Sequence, residues 1–140
     1  MRIDKAERRW VGGFAIILMV ITTIPYLIGF SMQTEDWVYT GFLFGVEDGN
    51  SYIAKMYLGE AGYWLFHTPY TAYEQNGFLA FLPYILLGKL ASPPDVHIQL
   101  VVLFHIFRWL GGIICCIATY DFISLFIKSI SLRRLGLAIA

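Results

Sequence analysis

Two long apolar stretches, residues 11–30 and about 99–127, constrain the fold of this chain more than any other feature. The first has about 20 residues without a charge, which is enough for a helix to cross a hydrocarbon core of roughly 30 Å. A cleaved signal peptide is the competing interpretation of this first stretch. The length of both stretches favours two membrane-spanning helices.

The composition also favours a membrane-embedded protein. Hydrophobic residues make up 58% of the chain and charged residues 14%, whereas soluble domains carry about 25% charged residues. The formal net charge is zero, so no bulk attraction to nucleic acid is expected. We therefore expect an all-α polytopic membrane protein whose principal partner is the lipid bilayer, with no nucleic-acid partner.

The residues between the two spans are predicted to form an acidic extracytoplasmic loop, residues 31–76, and then a short apolar helix, residues 77–91. Asn50 or Ser51 is predicted to cap a helix within the loop that runs to about Leu58. The apolar run that follows has only about 14 residues, which is short for a span and is typical of an interfacial or re-entrant helix. Whether it crosses the membrane stays open.

Basic residues decide the expected orientation of the chain. If residues 77–91 do not cross, Lys55 and Lys89 lie outside and seven basic residues lie in the cytoplasm: Arg2, Lys5, Arg8, Arg9, Lys128, Arg133 and Arg134. If they do cross, the last three move outside and Lys89 moves inside, so the balance becomes five inside against four outside. Because cytoplasmic segments carry the excess of lysine and arginine, we expect a cytoplasmic N-terminus, residues 1–10, and an outer acidic loop.

The last residues are expected to form a cytoplasmic basic hinge, residues 128–134, and then the start of a further span, residues 135–140. On this interpretation the chain is the N-terminal piece of a longer polytopic protein.

Glu47 and Asp48 are the residues most capable of chemistry. An acidic pair beside a glycine turn can coordinate a divalent cation through carboxylate oxygens. Either carboxylate can instead act as a general base toward a hydroxyl or an amine. The alternative is structural, because Asp48, Asn50 and Ser51 can build a turn and a helix cap without any catalytic role.

His105 and Arg108 lie three residues apart and share a face of the second predicted span. Gly112, Cys115 and Thr119 are predicted to continue the same polar and small-residue face toward a protein neighbour. An arginine inside a membrane is costly, and its guanidinium matches the geometry of a lipid phosphate. The alternative is a side chain that reaches the lipid headgroups without a specific ligand.

Aromatic residues follow the acidic pair and surround His67, which is a weaker candidate for acid–base or binding chemistry. The patch consists of Tyr63, Trp64, Phe66, Tyr70 and Tyr73. Such rings are typical of membrane interfaces, and they can also stack on a sugar.

The layout resembles the N-terminal region of GT-C fold glycosyltransferases, the integral-membrane enzymes that use polyprenyl-phosphate sugars. The similarity is closest to bacterial relatives of the dolichyl-phosphate-mannose protein mannosyltransferase group. It rests on residues 47–56 (Glu-Asp-Gly-Asn-Ser-Tyr-Ile-Ala-Lys-Met), 62–66 (Gly-Tyr-Trp-Leu-Phe), 69–71 (Pro-Tyr-Thr) and 132–135 (Leu-Arg-Arg-Leu).

The resemblance implies transfer of a sugar from a polyprenyl-phosphate donor to an acceptor on the outer face of a bacterial inner membrane. It implies a catalytic base or a metal ligand, for Mg²⁺ or Mn²⁺, at Asp48 and Glu47. Arg108 would contact the donor phosphate. Apart from the resemblance, we expect substrate-binding roles for His105, Tyr52 and His67. Family members have many more spans, so further C-terminal spans would be needed for activity. The alternatives are a transporter or flippase component and a non-catalytic membrane subunit.

Overall fold

The structure, a computed structural model, describes residues 3–68 and 70–140, so Arg2 and the Pro69 of the resembling motif lie outside the described residues. The described chain is all-helical and contains no β-strand, which confirms the predicted fold class at this level. Its helices are α1 (Lys5–Ser31), α2 (Val46–Glu60), α3 (Leu82–Gly88), α4 (Val96–Phe126) and α5 (Ile130–Ile139). By length and composition, α1 and α4 could each cross a membrane.

The chain divides into two compact units, and α1 and α4 each contribute to both. The terminal unit comprises residues 3–25 and 107–140. Its core contains five buried residues, contributed by α1, α4 and α5: Val11, Ala15, Cys116, Tyr120 and Leu137. Around them pack half-buried aromatic and aliphatic side chains, including Trp10 and Phe14, whose rings stack with centroids 5.4 Å apart.

The loop unit comprises Tyr26–Ile106. Its core lies where α2, the start of α4 and the segment before α2 meet, and its buried residues are Phe42, Ile53, Met56, Ala91, Leu100 and Val101. The predicted loop between the spans is therefore a packed unit with its own apolar core.

Helices α2 and α3 pack backbone to backbone through two glycines. A Cβ atom built on Gly59 would collide with the carbonyl of Ile85, and one built on Gly88 would collide with the carbonyl of Met56. Only glycine permits this approach, so the pair of glycines allows α2 and α3 to pack in direct backbone contact.

The predicted helix cap at Asn50 or Ser51 is wrong, because α2 begins at Val46 after Gly45, which has a left-handed backbone with φ 59°. Glycine adopts this conformation without steric cost, and the helix begins at least five residues earlier than predicted. The apolar run 77–91 contains a helix of only seven residues, and an isolated backbone bridge between Phe66 and Phe78 precedes it.

The predicted basic hinge is largely helical. Helix α5 begins at Ile130 and includes both Arg133 and Arg134. The non-helical connection between α4 and α5 is therefore limited to residues 127–129.

Candidate functional site

Glu47 and Asp48 occupy the first turn of α2, and both side chains are exposed. The N-terminus of a helix carries partial positive charge, so carboxylates in this turn stabilise α2 whether or not they also bind a ligand. Among residues 3–68 and 70–140, no group of three or more histidine, cysteine or acidic side chains is arranged to hold a metal ion.

The two carboxylates point in different directions around α2. Successive residues of an α-helix are rotated by about 100°, so residues seven apart differ by only about 20°. Asp48 therefore shares a face with Lys55, and Ser51 and Tyr52 lie on the same face. Glu47 is rotated by about 80° from Lys55, toward the more exposed side of the helix.

Lys55 is buried in the loop unit, with 8% of its surface exposed. Its Nζ donates a hydrogen bond to Ser51 Oγ at 2.8 Å. The same ammonium lies 4.7 Å from the centroid of the Tyr52 ring and 4.3 Å from that of Phe81, within the range of cation–π attraction. The sequence pattern assigned Lys55 no chemical role. Its spacings of four residues from Ser51 and three from Tyr52 nevertheless place the three side chains on one face of a helix.

Tyr52, a predicted substrate-binding residue, belongs to an aromatic stack. Its ring lies 4.6 Å from that of Tyr84 and 6.0 Å from that of Phe104, with interplanar angles of 20° and 21°. Burial, with a smaller contribution from the neighbouring Tyr52 phenol, raises the pKa of Tyr84. The Tyr84 phenol therefore stays neutral at physiological pH.

His105 is held inside the loop unit by a polar and an aromatic contact. Its Nε2–H donates to the carbonyl oxygen of Gly41 at 3.0 Å, and its ring meets the Tyr26 ring edge-on at 4.7 Å. The Phe42 ring lies 6.3 Å from the His105 ring and also packs against Gly49 of α2. His105 thus positions the 41–42 segment on which α2 rests.

His67 lies in the segment between α2 and α3 and contacts neighbours in sequence. Its Nδ1 is 3.2 Å from the carbonyl oxygen of Leu65, and its ring is 5.2 Å from the Tyr63 ring. Neither contact involves the face of α2 that carries Asp48.

Arg108 belongs to the terminal unit, whereas Asp48 belongs to the loop unit. Its guanidinium donates to the hydroxyl of Thr22 at 3.2 Å and to that of Thr23 at 2.6 Å. Trp109 Nε1 donates to the same Thr23 oxygen at 2.9 Å. These bonds join α4 to α1 and give Arg108 a structural role. The sequence predicted only a contact between Arg108 and a lipid phosphate, which stays a prediction.

The polar face predicted to continue from Arg108 follows a different register. Gly112 packs against Met19, but Cys115 is exposed, while Cys116 and Tyr120 are buried. The packed positions of α4 therefore recur every four residues, at 112, 116 and 120, and Cys115 does not belong to this face.

A buried polar cluster in the terminal unit was missed at the sequence level. Glu7 Oε1 accepts hydrogen bonds from Arg133 Nη1 and from the Tyr120 hydroxyl, each at 2.8 Å. Arg133 is 1% exposed and Glu7 4%. Asp4 and Glu7 also exchange backbone-to-carboxylate bonds, and their spacing of three residues is a helix-start signal that could have been read from the sequence.

The observations define an all-helical protein with two helices long and apolar enough to cross a membrane, and with carboxylates exposed at the start of α2. Comparison of the chain with protein-family models, with curated proteins and with solved structures gave no match.

Proposed function

We propose that the chain belongs to an integral-membrane glycosyltransferase of the GT-C type, which moves a sugar from a polyprenyl-phosphate donor to an acceptor on the extracytoplasmic face. The observation that carries this proposal is the face of α2, where exposed Asp48 shares one side of the helix with a buried ammonium and a stacked tyrosine. A general base that takes the acceptor proton and a cation that stabilises the leaving phosphate are groups that transfer of a sugar from a phosphate uses.

In the proposed reaction, Asp48 takes the proton of the acceptor hydroxyl or amine. The acceptor atom forms a bond to the anomeric carbon of the sugar, while the bond from that carbon to the phosphate oxygen breaks. The departing polyprenyl phosphate keeps the bonding electron pair, so a nearby cation stabilises the charge that develops on it. The ring of Tyr52, stacked on Tyr84, lies beside the Lys55 ammonium on the same face of α2 and helps to fix its position.

A divalent cation held jointly by Glu47 and Asp48 fits this geometry poorly. Adjacent residues of a helix do not face each other, so their carboxylates diverge by about 100°. Each carboxylate alone could provide one ligand to Mg²⁺ or Mn²⁺, with phosphate and water as the others. The proposed mechanism therefore assigns Asp48 the role of base and includes no step at a metal.

Sugar transfer in membranes containing the protein tests the proposal directly. The substrate is a radiolabelled polyprenyl-phosphate sugar, and the matched pair of variants is Asp48→Asn and Glu47→Gln. Loss of a general base lowers the rate by roughly 10²–10⁴-fold, so we expect this loss for Asp48→Asn. We expect Glu47→Gln, which removes the other first-turn carboxylate, to stay within about tenfold of the wild type, because Glu47 is rotated away from the Lys55 face. Undiminished transfer by Asp48→Asn would remove Asp48 from the mechanism.

The proposed location is the bacterial inner membrane, with the N-terminus in the cytoplasm and α2 outside. A single cysteine at position 48, in a Cys115→Ala, Cys116→Ala background, reports this orientation. A membrane-impermeant thiol reagent should label it in intact cells, because the Asp48 side chain is exposed at the start of α2. Labelling only after the cells are opened would place α2 in the cytoplasm and contradict the proposal.

A further inference from the structure

The ammonium of Lys55 is buried without a carboxylate partner among residues 3–68 and 70–140. An ammonium has three donors, and one of them is used by the Ser51 hydroxyl. The faces of Tyr52 and Phe81 attract the charge but accept no ordinary hydrogen bond. Because buried charges are as a rule paired, this ammonium has the capacity to bind an anion.

The surroundings of Lys55 are rigid enough to form a preorganised site. The close approach at Gly59 and Gly88 locks α2 against α3. Phe81, which precedes α3 and covers the ammonium, has a left-handed backbone with φ 52°. A bulky residue adopts this strained conformation only where the surrounding structure imposes it. The ring of Phe81 is therefore held over Lys55 by the fold.

The position of the ammonium relates it to Asp48. Side chains of a helix lean toward its N-terminus, and the hydrogen bond to Ser51 shows that Lys55 Nζ reaches back to that turn. Ser51 follows Asp48 by three residues, which corresponds to about 4.5 Å along the helix axis. A phosphate bound to Nζ would thus lie within one turn of the carboxylate on the same face.

We propose that Lys55 Nζ binds the phosphate group of the polyprenyl-phosphate substrate, with Ser51 holding the ammonium in place. The identity of the ligand rests on the proposed function, whereas the anion site itself rests on the geometry around Lys55. In this arrangement Lys55 stabilises the phosphate as it leaves the sugar, and Arg108 keeps its structural contacts with Thr22 and Thr23.

The test is direct binding to the protein in detergent micelles, measured without sugar transfer. Three probes are titrated: a short-chain polyprenyl monophosphate, the corresponding neutral polyprenol, and inorganic phosphate. Phosphorus NMR reports the two phosphates, and intrinsic fluorescence reports the polyprenol. The variants are Lys55→Met, which keeps an apolar stem without charge, and Lys89→Met as the matched control. Lys89 also lies over an aromatic ring, at 4.2 Å from that of Trp64, but it follows the C-terminal end of α3 and is half-buried rather than buried.

The wild type should bind the lipid phosphate at least about tenfold more tightly than the polyprenol. Lys55→Met should lose about tenfold to hundredfold in affinity, the range of one hydrogen bond to a charged group. Lys89→Met should bind as the wild type does. Equal affinity of Lys55→Met and wild type for the lipid phosphate would overturn the proposal. If Lys55→Met lacks the wild-type circular dichroism spectrum, the comparison passes to Lys55→Arg, which keeps the charge, and Lys55→Gln, which removes it.

Two further outcomes separate this proposal from the proposed function. Inorganic phosphate that binds as tightly as the lipid, and in a Lys55-dependent manner, would support the anion site and overturn its assignment to a lipid. Lys55-dependent binding of the lipid phosphate in a protein that transfers no sugar would support the site while contradicting the transferase.

Discussion

Removal of the Arg133 side chain should destabilise the terminal unit severely. Its guanidinium donates from Nη1 to Glu7 and from Nε to the carbonyl oxygen of Ile127, at 2.8 and 2.6 Å. Both members of the ion pair are almost fully buried. Breaking a buried pair by removing one partner costs about 3–5 kcal/mol, because the remaining charge stays buried and uncompensated.

The magnitude can be apportioned with a double-mutant cycle of Glu7→Gln and Arg133→Met. We expect each single variant to lower the free energy of unfolding by about 3–5 kcal/mol. The double variant leaves neither charge behind, so its loss should be smaller than the sum by about 2–4 kcal/mol. Tyr120→Phe removes one hydrogen bond from the same carboxylate and should cost only about 1–2 kcal/mol.

The assay is reversible unfolding in mixed micelles, followed by far-ultraviolet circular dichroism as the denaturing detergent is increased. The same substitution at an exposed basic residue, Arg8→Met, controls for the loss of positive charge alone. Single variants that each cost under about 1 kcal/mol and add without coupling would refute the reasoning, because such values are typical of solvent-exposed pairs.

Three further predictions concern packing and polar contacts elsewhere. Gly59→Ala should lower the melting temperature of the loop unit, since its Cβ has no space against α3, whereas Gly13→Ala, with open space around it, should raise helix stability by up to about 1 kcal/mol. Thr23→Val removes an acceptor of two hydrogen bonds and should cost about 1–3 kcal/mol in detergent unfolding, more than Thr22→Val, whose hydroxyl accepts one longer bond. The buried Tyr39 hydroxyl has no hydrogen-bond partner among the described residues, and burial, followed by the nearby Tyr26, raises the pKa of Tyr39. The neutral Tyr39 phenol is stable in the folded state, so its contribution to the free energy of unfolding is present below pH about 10 and is lost as the pH rises through the raised pKa. The free energy of unfolding of Tyr39→Phe should therefore change less between pH 9 and pH 11 than that of the wild type. Equal pH dependence of the two proteins would contradict this.

The two long apolar helices were predictable because their signal is local. A run of apolar residues long enough for a bilayer can be recognised from its own sequence. Helix α1 contains the first predicted stretch, and α4 contains residues 99–126 of the second. The start of α2 was not predictable in the same way. Asn50 and Ser51 are good caps by residue type, but Gly45 begins the helix and places Glu47 and Asp48 in its first turn.

The candidate site was predictable only in part. Glu47 and Asp48 attract notice as an acidic pair, and the rotation of α2 separates their directions as soon as the helix is known. The burial of Lys55 depends on the ring of Phe81, which lies 26 residues further along the chain. A pattern of neighbouring residues cannot reveal a contact between side chains so far apart in the sequence. The burial of Lys55, and with it the proposed anion site, therefore became visible only in the structure.

The sequence by itself determined the helical class, the two long apolar helices and the acidic character of the segment between them, because hydropathy and charge act through each residue's own transfer free energy. The tertiary structure alone decided which charges are buried and what they meet. Arg133 illustrates the difference: its type indicates a cytoplasmic surface charge, but its side chain pairs with Glu7, 126 residues earlier. Such pairing depends on the three-dimensional approach of α1 and α5, because only a nearby opposite charge offsets the cost of removing an ion from water.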